Sequence, residues 1–204
     1  MRHPPLVACV VSSLLAAGCA LIQPVKDQSR FFVLRALPVD AAPSEPMPAA
    51  RGLILGIGPV RLPDYLKETE LVAGLAGSEV RYSQTDRWAQ PLETMTGAVV
   101  AQQLTDLLAI PGIVPYPWTG LVLPDYTIPI RVTRFENDGS GTVIFDGGWG
   151  LHDTKTKRIM RVVQFRVTER VQTPDANGTV AAMSAALSQL SQEIAVAVRQ
   201  VAAQ

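Results

Sequence analysis

Cysteine and histidine are nearly absent from the 204-residue chain, which has two of each: Cys9, Cys19, His3 and His152. Three of these four lie in the first 19 residues, so the remainder of the chain has no thiol and a single imidazole. This excludes disulfide staples, thiolate metal centres and His-rich metal sites from the body. A Ser-His-acid arrangement would have only His152 as its base, and no Gly-x-Ser-x-Gly elbow is present. No charge of one sign is in excess: 18 basic residues balance 18 acidic ones. There is no run of like charges, which argues against nucleic acid as a partner. Beyond the first 18 residues, no apolar run approaches the roughly 20 residues needed to span a bilayer.

The N-terminus supplies what the rest lacks. Arg2 and His3 precede an apolar run from Leu6 to Ala17, and small residues lead directly to Cys19. This is the pattern of a secretory signal. The segment Leu15-Ala16-Ala17-Gly18-Cys19-Ala20 resembles the lipobox at which lipoprotein signal peptidase cuts before a diacylglyceryl-modified cysteine. We therefore read residues 1–18 as the signal, Cys19 as the lipidated first mature residue, 19–28 as a tether and 29–204 as one domain. Fully extended, the tether would reach about 30 Å.

Apolar periodicity organises the body. Arg30 to Arg35 suits a buried first strand, and Ala36 to Ala50, rich in Ala and Pro, should be a loop. Leu53 to Val60 is a continuous apolar run that predicts a central strand passing close to another backbone at Gly56 or Gly58. No third glycine opens a helix after that pair, so it is not a nucleotide fingerprint. Short strands are expected at Glu70 to Ala73 and Glu79 to Ser83, around a Gly74 to Gly77 turn. Pro91 opens a helix running to Leu108, and Pro111-Gly112 ends it. Three period-two segments follow, on Tyr126 to Val132, Val143 to Leu151 and Ile159 to Val167, and these predict an antiparallel meander. Val180 to Ala202 is an amphipathic terminal helix whose polar face is Ser, Gln and Glu, which argues for docking on the sheet and against lying on a membrane. The expected fold is α/β, of the α+β type: a single domain with a mixed, largely antiparallel sheet and two main helices packed on it.

The acidic residues Asp64, Asp125, Glu136, Asp146 and Asp153 fall at predicted strand ends and turns, where carboxylates are commonly solvated. We assign no catalytic residue, no metal ligand and no cofactor, and read the protein as a binding component and not an enzyme. Large amphipathic side chains in two predicted loops, Leu62, Pro63, Asp64, Tyr65 and Leu66 in one and Arg87 and Trp88 in the other, are the candidate partner contacts. Trp149, which follows strand alternation, reads as core.

Three segments carry a resemblance: Gly58-Pro59-Val60-Arg61-Leu62-Pro63-Asp64-Tyr65-Leu66, Arg87-Trp88-Ala89-Gln90-Pro91-Leu92 and Arg134-Phe135-Glu136. With them and its order of elements, the chain resembles the ABC-type transport auxiliary lipoproteins, the PqiC-like (paraquat-inducible protein C) family. The resemblance implies a periplasmic subunit of a lipid-trafficking system between inner and outer membranes. Its partners would be a mammalian-cell-entry (MCE) domain protein and that protein's inner-membrane permease. It also implies self-association into a homo-oligomer suited to a conduit end. Ala20, in place of a retaining Asp, implies lipid anchoring on the periplasmic face of the outer membrane. The alternative reading is a structural or assembly lipoprotein of the envelope with no transporter partner. A body that itself carries lipid would need an apolar cavity between sheet and terminal helix.

Overall fold

The computed structural model describes residues 27–38, 52–76, 78–119 and 123–202. The signal segment and Cys19 lie outside them, as does most of the Ala/Pro-rich stretch. Among the described residues, eight strands and two α-helices run in the order β1 (Arg30–Phe32), β2 (Leu55–Arg61), β3 (Glu70–Ala76), β4 (Glu79–Trp88), α1 (Leu92–Leu108), β5 (Ile113–Pro115), β6 (Tyr126–Asn137), β7 (Thr142–Asp153), β8 (Ile159–Arg170) and α2 (Ala176–Ala202).

The strands form two sheets, where periodicity alone had implied one. The larger has the order β5-β2-β6-β7-β8, with β2 parallel to both β5 and β6 and the remainder an antiparallel meander. The smaller has the order β1-β4-β3. The predicted meander and both helices are present. Both helices lie on one face of the larger sheet, α1 against β2 and β5 and α2 against β6, β7 and β8, and they also pack on each other.

Alternation along the meander sets this arrangement. Ile128, Ile130, Phe135, Val143, Phe145, Trp149 and Leu151 all point to the helix side and are at most 3% exposed. Phe135, Phe145 and Phe165 pack in sequence, tilted and then edge-to-face, with ring centroids 4.2 and 4.8 Å apart. From α2, Leu187, Leu190 and Ile194 fill the space above them and are fully buried. The interface between sheet and terminal helix is thus a packed core, and the idea of a lipid-carrying interior loses its support. Burying one such aliphatic side chain contributes about 1.5–3 kcal/mol.

Several local expectations are corrected. The first strand is not buried: β1 is three residues long, sits at the edge of the small sheet parallel to β4, and leaves Phe31 65% exposed. Only Leu34, just beyond it, enters the core. Pro91 does not begin α1 but caps it in an extended conformation (ψ 130°), and the helix closes at Ala109, whose φ of 53° is left-handed, before Pro111 is reached. Strands β3 and β4 are longer than expected, because they pair as a hairpin. Arg87 and Trp88 therefore end a strand instead of occupying a loop. Gly56 and Gly58 do meet close neighbours, but these are side chains: a Cβ on Gly56 would stand 2.6 Å from the Trp118 ring, and one on Gly58, at φ +112°, 2.9 Å from Cβ of Tyr116.

Candidate functional site

The segment after β2 makes a tight turn. Pro63 is extended, and Asp64–Leu66 form one turn of 3-10 helix closed by the Leu66 and Lys67 N–H groups, which donate to the Pro63 and Asp64 carbonyls at 3.0 Å. Leu62 and Leu66 are buried. Asp64 projects into solvent and pairs with Lys67 at 2.5 Å, and the Lys67 ammonium holds its carboxyl below the usual range.

Tyr65 turns inward to a buried carboxylate. Its hydroxyl donates to Oε2 of Glu136 at 2.8 Å, the Phe135 N–H donates to the same oxygen at 2.8 Å, and Arg134 Nε donates to Oε1 at 2.8 Å. Tyr82 of β4 donates to the Tyr65 carbonyl at 3.0 Å. Burial, and then the neighbouring Glu136 charge, push the Tyr65 phenol well above its ordinary pKa. Glu136 was expected to be solvated at a strand end, but its side chain is fully buried because the 62–66 turn covers it. Asp146 is buried as well, and Arg166 forks onto it with two bonds of 2.9 Å. Both carboxylates are thus held by arginine in charge-assisted bonds; the Arg166–Asp146 fork joins β8 to β7, and the Tyr65–Glu136 bond joins the turn to β6.

The two candidate segments meet in the interior. Leu66 and Trp88, with Leu92, Phe135 and Met183, surround a residual gap of only about 10 Å³ at the end of the core. Trp88 is 6% exposed. Arg87 reaches Glu70 at 3.2 Å. Of the candidate set, Pro63, Asp64 and Arg87 keep surface available for a partner, Tyr65 is half-buried with its hydroxyl committed to Glu136, and Leu62, Leu66 and Trp88 contribute core. Trp149 is buried, as strand alternation implied. His152, at the end of β7, is half-buried beside Gly150, where a Cβ would stand 2.8 Å from its Nε2.

One surface feature escaped the sequence reading. On the face of the larger sheet away from the helices, Arg61 of β2 lies in register with Arg131 of β6. The period-two reading of Ile128, Ile130 and Val132 already turned Arg131 outward. That it meets Arg61 depends on a parallel pairing that no local pattern encodes.

Among the described residues, no helix is long and apolar enough to cross a membrane. A family model described as the ABC-type transport auxiliary lipoprotein component matches residues 36–195. Two crystal structures share the fold. A Xanthomonas campestris protein assigned to DUF330 is 19% identical with a TM-score of 0.67, over 86% of this chain and 100% of its own. An uncharacterized protein is 20% identical with a TM-score of 0.66, over 83% and 98%. No curated protein matches the chain by sequence.

Proposed function

Since the chain belongs to the ABC-type transport auxiliary lipoprotein family, we propose that it is the lipid-anchored subunit of an MCE-type lipid transport system, held at the periplasmic face of the outer membrane by Cys19. It acts by binding its MCE-domain partner and performs no chemistry of its own. One observation carries the reading: the family match spans 36–195, nearly the whole folded body, and lies downstream of a lipobox-like Leu15-Ala16-Ala17-Gly18-Cys19. The family supports the transport role, and the lipobox-like segment supports the anchor. Pro63, Asp64 and Arg87 are the proposed points of contact, presented by a turn and a strand end that the Tyr65–Glu136 bond and the Leu66–Trp88 contact hold in place. Several acyl chains at roughly 0.8 kcal/mol per buried CH₂ would make the anchoring effectively permanent.

The test is to express the full-length chain in a bacterial envelope with Cys19 intact or changed to Ser, then to follow acylation, membrane fraction and co-purifying proteins. A Cys19-dependent outer-membrane form that brings down an MCE-domain protein and its permease is the expected result. Acylation without such a partner would replace this reading with that of a structural or assembly lipoprotein. An unacylated chain would remove the anchor from it.

A further inference from the structure

Beside the 62–66 turn that covers Glu136, the face of the larger sheet opposite the helices carries an open groove, and its residues fall into rows set by strand register. One row runs Arg61, Arg131, Gly148, Gln164, each paired with the next. Both arginines are exposed. Like charges directly opposite each other across a strand pair oppose folding. Nearby carboxylates are already committed, Asp146 to Arg166 and Glu136 to Arg134 and Tyr65. Among the described residues neither Arg61 nor Arg131 has an acidic partner. The row lies in a groove of about 290 Å³ that Pro59, Thr133 and Val162 also line. Gly148 keeps the floor low: a Cβ there would stand 2.6 Å from the Gln164 amide, which lies across it.

The margins of this face are apolar. On the β2 side, Tyr116, 51% exposed, and Trp118 form an edge-to-face pair with centroids 5.2 Å apart, over Gly58 and Gly56. On the β8 side, Ile159 and Val162 are 63% and 64% exposed, in register with His152 and Gly150 of the same face. Cationic side chains at the centre, a Tyr–Trp pair at one margin and aliphatic side chains at the other are the composition that partitions to a membrane–water interface. Uncompensated guanidinium groups select a negative surface, and the phosphate is the group they bind in paired fashion.

We propose that this sheet face docks on an anionic phospholipid bilayer, with Arg61 and Arg131 sharing a lipid phosphate and the two apolar margins entering the headgroup region. The proposal goes beyond the transport reading and rests on it only in that the tether brings the face within reach of a membrane. Docking would hold the body in one orientation, which a lipid anchor at a single point does not do.

Trp118 is a native reporter, because the other two tryptophans, Trp88 and Trp149, are 6% and 3% exposed. The full chain is placed with vesicles of phosphatidylglycerol or of phosphatidylcholine, each doped with dibrominated phospholipid, and tryptophan quenching is measured. Quenching confined to phosphatidylglycerol and abolished in Trp118→Phe is the expected result. Each arginine near an anionic surface is worth roughly a fivefold gain, so the Arg61→Gln/Arg131→Gln variant should lower the ratio of docked to undocked body about 25-fold. Circular dichroism establishes that both variants are folded. Quenching that ignores lipid charge, persists in the double variant or survives Trp118→Phe overturns the proposal. An absence of quenching in both lipids also overturns it, and leaves the arginine pair to an acidic protein segment. Acylation of Cys19, measured by mass spectrometry on the same samples, decides the anchor separately, so the two ideas fail independently.

Discussion

The two faces of the five-stranded sheet are built from alternate residues of the same strands, yet they obey different rules. On the helix side Phe135, Phe145 and Phe165 pack under α2, and there is no room to alter them. One residue away, Arg131, Gly148 and Gln164 line an open groove whose charge is unbalanced. Adjacent glycines make the contrast sharpest. A Cβ on Gly147 would stand 2.3 Å from the Arg131 carbonyl oxygen, whereas one on Gly148 meets only the movable end of Gln164. Stability is thus concentrated on one pleat of each strand, which leaves the other free to be shaped by what it touches.

Substitutions on the two faces should separate this division by size of effect. Phe145→Ala removes a fully buried ring and should cost about 3–5 kcal/mol in urea unfolding. Gly147→Ala drives a side chain into backbone and should cost about 1–3 kcal/mol, while Gly148→Ala should stay within ~0.5 kcal/mol; equal costs for the two glycines would erase the distinction between faces. Tyr65→Phe removes one bond to a buried carboxylate and should cost about 1.5 kcal/mol. The same variant has a pH signature. Below about pH 10 the phenol is protonated in both states and its contribution is complete. Above it, the unfolded chain ionises while the folded phenol, held high by burial and Glu136, resists, so stability falls as pH rises. Tyr65→Phe should flatten that alkaline slope in pH-dependent unfolding. Smallest is Arg131→Thr, which relieves the like-charge pair with Arg61 and should raise stability by about 0.2–1 kcal/mol, read from the denaturation midpoint. A loss there would mean that the pair is compensated within the fold.

Much of this architecture is legible in the sequence. The meander follows from Ile128, Ile130 and Val132 alternating against Val143 and Phe145, and α2 from Leu187, Leu190 and Ile194 at helical spacing. The small sheet is not legible, because β1 pairs in parallel with residues 56 positions away, and nothing local in Arg30–Phe32 encodes that partner. Glu136 and Asp146 show a second limit. Alternation turns Asp146 away from the helices, but carried on from Ile128, Ile130 and Val132 it would put Glu136 beneath them. An irregularity between Val132 and Arg134 reverses the phase, and period two reveals neither that nor that Tyr65 covers Glu136 and Arg166 reaches Asp146. For the candidate contacts, an aromatic residue that closes a core and one that waits for a partner look alike in sequence. Trp88 is of the first kind; Pro63, Asp64 and Arg87 keep the surface on which the second role depends.

The N-terminal segment joins the body in a way that bears on mechanics. Arg30–Phe32 run parallel to β4, Arg30 pairs with Asp86 at 2.6 Å, Leu34 is buried, and the Arg35 N–H donates to Ser184 of α2 at 3.2 Å. With the Gln103 amide oriented to satisfy both of its ends, the Leu37 N–H reaches α1 as well, at 3.2 Å. A lipid on Cys19 would pull on this seam whenever the two membranes move relative to each other. Tension along β1 loads its bonds to β4 together, in shear, and then passes to both helices through residues 34–37. The strand that contributes least to the core would be the joint through which the envelope's strain enters the protein.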